Sequence, residues 1–265
     1  MKVGFIGTGN MGGALAHAAA QSPAPAELLL SNRTPEKAQA LAQQLGATVS
    51  GNETIAQTCD YIFLGVKPQM MADLLARLQP ILSRRQEGFV LVSMAAGLTL
   101  QRLREMAGLS CPILRIMPNT ACAVGAGLTL YVPSPEVTKE QLSAFLTLMS
   151  ASGRLEPLEE HLIDAGSAVA GCGPAFVDLF IEAMADGGVA CGLTRPMAME
   201  CAAQTLIGAA RLMLETGRHP GALKDAVCSP GGATIQGVRA LEAGGFRSAV
   251  MEAVIAAYEK SAEMK

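Results

Sequence analysis

The chain has 265 residues, 50% of them hydrophobic and 16% charged, which is length for about two domains and ample apolar material for a packed core, so disorder is excluded. Its 20 Lys and Arg against 23 Asp and Glu leave a formal charge of −3, and the basic residues are scattered, so the electrostatic footprint of a nucleic-acid binder is missing. The longest apolar stretch, 168–190, contains Asp178, Glu182 and Asp186, which argues against a lipid-facing helix. The opening MKVGFIG meets glycine too soon for a secretory leader, and the cytoplasm is the expected compartment. Seven cysteines without CxxC spacing and three separated histidines, His17, His161 and His219, suggest neither a metal site nor a disulfide framework.

Residues 3–6 form a short apolar run and 12–20 are small and helix-prone, so the chain begins strand, turn, helix. The turn Gly7-Thr8-Gly9-Asn10-Met11-Gly12 is GxGxxG in the context that gives the motif meaning. The first glycine allows the turn, the second admits a pyrophosphate against bare backbone, and the third lets helix pack on strand, with the helix N-terminus facing the phosphates. Residues 27–31 read as the second strand, followed by Asn32, Arg33 and Thr34 and a helix over 36–45 that Pro35 starts. No acid ends that strand to receive a ribose 2′-hydroxyl. Ser31, Asn32, Arg33 and Thr34 instead offer donors suited to a 2′-phosphate, which predicts NADPH as cofactor with NADH the weaker option.

A short strand at 48–49, a strand at 61–66, a helix at 70–82 and a strand at 89–93 continue the alternation, which predicts a doubly wound, parallel, Rossmann-type sheet. Ligands of such sheets lie beyond the carboxyl ends of the strands, where Val66, Lys67 and Pro68 and then Ala95, Ala96 and Gly97 fall. The small residues at 95–97 would let a flat nicotinamide ring lie close to the backbone, whereas Lys67 reads equally well as a surface cation. Further strands are expected at 113–117 and 125–132, with Pro118-Asn119-Thr120 between them.

From Lys139 the strand-like runs stop and helical spacing takes over, first at 141–151 and 160–169. The fold class is therefore α/β, a Rossmann-type sheet followed by an all-α domain, divided at 158/159. Asp178, Glu182 and Asp186 lie at i, i+4 and i+8 and read first as a solvated stripe. The helix over 196–215 has scarcely any charge between Glu200 and Arg211 and needs cover that a small domain lacks, which points to a second subunit. The turn Ser229-Pro230-Gly231-Gly232-Ala233-Thr234 opens the last helical region, and free N–H groups at 231–234 with the Ser229 and Thr234 hydroxyls could hold a small carboxylate.

These motifs carry a family resemblance over essentially the whole chain. GTGNMGGALA at the start, SNRT at 31–34, VKPQ at 66–69, SMAAG at 93–97, MPNT at 117–120, GCGPAF at 171–176, ADGGVACGL at 185–193 and DAVCSPGGATIQGVRALEAGGFRSAVMEAV at 225–254 resemble pyrroline-5-carboxylate reductases. The last block is the specific one; Cys172, where the family often has serine, is a small departure. The resemblance implies reduction of the C=N bond of Δ1-pyrroline-5-carboxylate to L-proline, the last step of proline synthesis. It further implies that the Thr234 hydroxyl hydrogen-bonds the ring nitrogen and that Ser229 with the backbone at Gly232, Ala233 and Thr234 holds the carboxylate. Asn52 would contact the adenosine ribose, and Val66, Lys67, Pro68, Ala95, Ala96, Gly97 and Asn119 would line the cofactor. Helical regions of two subunits would interlock into a homodimer, with a ring of dimers, a homodecamer, as the larger form, so that each active site combines two chains. A protonated cyclic imine is already an electrophile, which agrees with the lack of a histidine acid. Two rivals stay open: another imine or 2-hydroxyacid reductase, which would offer a catalytic lysine near 229–234, and a non-catalytic NADP(H)-sensing protein.

Overall fold

In the computed structural model, which describes residues 1–24 and 26–263, the chain alternates strand and helix through its first half. The elements in order are β1 (Lys2–Ile6), α1 (Asn10–Ala20), β2 (Glu27–Ser31), α2 (Pro35–Leu45), β3 (Thr48–Val49), α3 (Asn52–Thr58), β4 (Tyr61–Leu64), α4 (Met71–Leu82), β5 (Val90–Ser93) and α5 (Leu100–Ala107). There follow β6 (Ile113–Met117), β7 (Gly127–Pro133), α6 (Lys139–Leu148), β8 (Gly153–Pro157) and α7 (Ile163–Ala170). The strands form one sheet in the order β3-β2-β1-β4-β5-β6-β7-β8, parallel except where β7 runs against β6. Alternate residues of β1 supply opposite faces: Val3 and Phe5 join Leu15, Leu30, Phe63 and Phe145, while Ile6 joins Ile62, Leu64, Leu75 and Leu78. Burial on both faces is what a doubly wound sheet requires, and it explains the continuous apolar runs of the central strands.

Three features depart from the sequence reading. Strand pairing does not stop at Lys139, because β8 adds to β7 at the sheet edge. Its sequence, GRLEP, is polar and only half buried, so it lacks the apolar run that betrayed the inner strands. The β6–β7 pair is antiparallel because the nine residues between Met117 and Gly127 are too few for a crossover, which takes a dozen or more. Helices α3 and α5 were not anticipated; each is short, and α5 is recognisable from Thr99, whose hydroxyl caps it by accepting the Arg102 N–H at 3.1 Å.

By its contacts the chain divides into two compact units, residues 1–172 with the end of the chain from Ala257, and residues 173–256. Helix α7, beyond the 158/159 division expected from the sequence, packs on β7 in the first unit. The second unit contains α8 (Gly173–Ala190), α9 (Arg195–Thr216), α10 (Pro220–Ala226), α11 (Ala233–Ala243) and most of α12 (Phe246–Glu263). Small residues bring α8 and α9 together: Ala185, Ala198 and Ala202 are buried. Large apolar side chains on the same helices stay open to solvent, Leu179 at 68%, Leu214 at 64% and Leu212 at 52% exposure. The run 160–190 is long and apolar enough to cross a bilayer, but it carries Asp178, Glu182 and Asp186, and Asp186 pairs with Arg195 at 2.6 Å.

Cys59, Cys111 and Cys122 are buried in the first unit and serve packing. Burial pushes the Cys59 and Cys111 thiols up to about 11 from an ordinary 9.0. Because the unfolded chain ionises these thiols first, their contribution is intact below pH 9 and fades as pH rises toward 11. Urea midpoints should accordingly fall across that window, and Cys59→Ala with Cys111→Ala should flatten the fall; an unchanged slope in the double variant would contradict the assignment.

Candidate active site

Register puts the strand ends at one height. Ile6 is level with Ser31 on one side and Leu64 on the other, and Leu64 with Ser93. The loops after these strands therefore share the crevice beside β1, where the strand order reverses. Gly7 leaves β1 at φ +97°, and a Cβ there would stand 2.5 Å from the Gly65 carbonyl oxygen, while one on Gly65 would stand 2.3 Å from the Gly7 oxygen. Only two glycines allow that approach. Their N–H groups hold the neighbours in place, Gly7 donating to the Ser31 carbonyl and Gly65 to the Ile6 carbonyl, both at 2.8 Å.

Helix α1 begins after Gly9 with no side-chain cap and no acid in its first turn, and no heavy atom lies within 4 Å of where a Gly9 Cβ would project. Its positive end is thus open to an anion. Beside it the Thr8 hydroxyl is buried without a hydrogen-bond partner. An open helix end and an unpartnered buried donor fit a pyrophosphate. Asn10 and Met11 form the first turn of α1, and Gly12 packs directly above Gly7.

A cleft of about 830 Å³ lies along the strand ends, lined at one end by Ser31, Asn32, Arg33, Thr34 and Asn52 and in the middle by Gly7, Gly9, Val66 and Lys67. Asn32 is an internal tie within it. Its Oδ1 accepts the Thr8 N–H at 3.2 Å and its Nδ2 donates to the Thr34 carbonyl at 3.1 Å. Ser31 donates to Asn52 Oδ1 at 2.6 Å. Arg33 and the Thr34 hydroxyl are exposed donors at this end. Lys37 and Arg77, which the sequence reading missed, line the same cleft with Gln69, Met70 and a single carboxylate, Glu53. Lys37 was findable, since it lies in the first turn of α2, directly after the basic loop that ends β2.

Other expected residues lie elsewhere. Pro68 opens a single 3-10 turn, and Ala95, Ala96 and Gly97 form the loop after β5; none of the four is on the wall of this cleft. Asn119 ties two segments together, donating to the Ala170 carbonyl at 3.0 Å and accepting the Leu128 N–H at 3.3 Å.

In the second unit, Ser229 to Gly232 turn the chain into α11, with Gly231 at φ +71°. The turn has one fewer free donor than its sequence suggested, because the Gly232 N–H donates to the Ser229 carbonyl at 3.0 Å. The N–H groups of Ala233 and Thr234, in the first turn of an uncapped helix without acid, keep no helical acceptor. Ser229 and Thr234 are exposed beside them.

A glycine turn at the reversal of a doubly wound sheet, an open helix N-terminus and a basic second-strand end are the features of a dinucleotide-binding protein. Comparison with known proteins narrows that class. The family described as pyrroline-5-carboxylate reductase dimerisation matches residues 160–264, and that of NADP oxidoreductase coenzyme F420-dependent matches 2–97. The chain is 42% identical to the pyrroline-5-carboxylate reductase of Escherichia coli, covering 99% of this chain and 98% of that one. It is 39% identical to the enzyme of Pisum sativum, covering 99% and 95%. The crystal structure of Plasmodium falciparum pyrroline carboxylate reductase with NADP bound superposes with a TM-score of 0.87 at 34% identity, covering 100% of this chain and 98% of that one. The chain belongs to the pyrroline-5-carboxylate reductase family.

The unpartnered Thr8 hydroxyl makes a test of the cleft without any ligand. Thr8→Val should stabilise the free protein by about 1 kcal/mol, read from a denaturant midpoint, since it removes a buried polar group that lacks a partner; a loss of stability would show that the hydroxyl is satisfied.

Proposed function

We propose that this protein reduces Δ1-pyrroline-5-carboxylate to L-proline with NADPH, with residues 1–158 as the NADP(H)-binding domain and 159–265 as the dimerisation and substrate domain. The observation that carries the reading is full-length kinship to named pyrroline-5-carboxylate reductases in a chain that keeps both the open pyrophosphate turn and the uncapped 229–234 turn. NADPH when bound supplies the hydride. The residues of the chain bind and orient.

At the adenosine end, Arg33, Thr34 and Lys37 supply donors for a 2′-phosphate, with no acid at the end of β2 to repel it. Asn32, Ser31 and Asn52 hold that end in shape. Gly7, Thr8, Gly9 and the start of α1, with Asn10, Met11 and Gly12, take the pyrophosphate; Val66 and Lys67 flank it, with Pro68 opening the turn behind them, and Ala95, Ala96 and Gly97 offer a small-residue wall to the nicotinamide. Asn119 acts by tying Ala170 to Leu128.

For the substrate, the N–H groups of Ala233 and Thr234 and the Ser229 hydroxyl hold the carboxylate at the positive end of α11, with Gly231 and Gly232 shaping the turn. The Thr234 hydroxyl is the catalytic residue: it hydrogen-bonds the ring nitrogen and fixes the imine carbon toward the hydride. A protonated imine needs orientation more than a strong acid. The exposed Leu179, Leu212 and Leu214 favour a homo-oligomer in which the helices of two copies interlock, covering faces too apolar for water. A soluble homo-oligomeric enzyme of this chemistry suits the cytoplasm.

Three measurements test the reading. Purified protein should reduce the cyclic imine rapidly with NADPH and slowly with NADH, and should oxidise NADPH slowly with a 2-oxoacid; a folded, NADPH-binding protein that turns over no imine would favour a sensor. Thr234→Ala should lower kcat by about one to two orders of magnitude, the scale of one orienting hydrogen bond, and unchanged turnover would remove Thr234 from the mechanism. Arg33→Ala should raise KM for NADPH far more than for NADH, whereas equal effects would make Arg33 a bystander.

A further inference from the structure

The ion cluster around the buried Arg115, which touches the end of the 94–99 loop at Leu100, has no part in the reading above. Arg115, on β6, is 1% exposed, among the largest fully buried side chains of the protein. Its Nη1 lies 3.1 Å from Glu160 Oε1 and its Nη2 3.6 Å from Asp164 Oδ1. Removing such a group from water costs more than most ion pairs return, and an apolar side chain of similar volume commonly serves stability as well or better. Stability is therefore a weak reason for an arginine here. Geometry supplies another.

Glu160 Oε1 has a second donor: the Leu100 N–H reaches it at 2.6 Å. Leu100 is the first residue of α5 and the far end of the loop that leaves β5 after Ser93. At its near end that loop is held by the buried Ser93, whose hydroxyl accepts the Ala95 N–H at 3.4 Å, and it bends at Gly97 with φ +76°. A charged acceptor at the first turn of α5 gains from the helix dipole as well as from the hydrogen bond. Arg115 in turn fixes where that acceptor stands. The far end of the loop is thus pinned to the rigid centre of the sheet through one oxygen.

We propose that Glu160, anchored by Arg115, is a positioning residue that sets the height of the 94–99 loop and so the placement of the nicotinamide ring. This rests on the proposed role of Ala95 to Gly97. Hydride transfer is steep in distance, and a displacement of about 1 Å costs on the order of a hundredfold in rate. Adenosine binding, at the ends of β1 and β2, does not depend on this pin.

The test compares Glu160→Ala, which removes the acceptor, with Glu160→Gln, which keeps an oxygen for the Leu100 N–H but not the charge facing Arg115. Glu160→Ala should lower kcat about 10- to 100-fold while affinity for 2′,5′-ADP, the adenosine half of the cofactor, stays within about twofold of the parent. Hydrogen exchange should quicken at 94–100 in this variant alone, and NADP⁺ should protect that loop in the parent but not in Glu160→Ala. Glu160→Gln should recover most of both signals, and should Glu160→Ala fail to fold, the smaller loss in Glu160→Gln carries the same split. A kcat unchanged in folded Glu160→Ala, or 2′,5′-ADP affinity falling in step with kcat, overturns the proposal, as does a parent loop that NADP⁺ leaves unprotected. A parent that turns over no imine, yet shows the NADP⁺ protection and its loss in Glu160→Ala, sinks the proposed reaction and supports the positioning role.

Discussion

The crevice exists because two backbones meet at the carboxyl ends of β1 and β4 with no side chain between them. Gly7 and Gly65 stand so close that a methyl on either would overlap the other's carbonyl, and each N–H is tied to a neighbouring strand end. Much else depends on that contact. It lets the chain turn at once from β1 into α1, so the positive end of the helix opens at the level of the strand ends rather than above them. It also sets the height at which the ends of β2, with its basic loop, and of β5, with its small-residue loop, arrive. The shape of the crevice is in this sense a property of two glycines 58 residues apart, not of the glycine-rich turn alone.

The two units solve burial differently. In the first, helices cover both faces of the sheet, and the central strands have scarcely an exposed atom. In the second, alanines draw α8 and α9 together, while leucines, methionines and valines face outward. A pair of helices closed by alanine has little core of its own and leaves a broad apolar surface for a partner.

The inner strands, the phosphate turn and the long helices were legible because each has a strong period or a short motif with a mechanism. Val3 to Ile6 followed by GxGxxG leaves few alternatives, and Pro35 marks the start of α2 almost to the residue. Strand β8 was hidden because an edge strand half in water has no reason to be apolar, and the reversal of β7 because direction follows loop length and not composition. At the site, residue types were easier to read than roles. Asn32 looks like a phosphate donor in the sequence, yet both ends of its amide are engaged within the chain; the Gly232 N–H looks free but closes the turn. Gly65 and Arg77 had no motif to announce them, since their places are defined by strands and helices far off in the chain. The Arg115 cluster was invisible for the same reason, its members lying 45 and 49 residues apart.

The two hydrogen bonds of Asn32 bear on how cofactor choice could change in evolution. They join the glycine turn at Thr8 to the basic loop at Thr34, so that the part proposed to take the pyrophosphate and the part proposed to tell NADPH from NADH are mechanically a single piece. An acid at position 32 would keep the acceptor for Thr8 but lose the donor to Thr34, loosening the discriminating loop in the same step that tried to retune it. On the proposed roles, positions 33 and 34, whose side chains make no hydrogen bond to another described residue, are where preference can drift without disturbing the glycine turn.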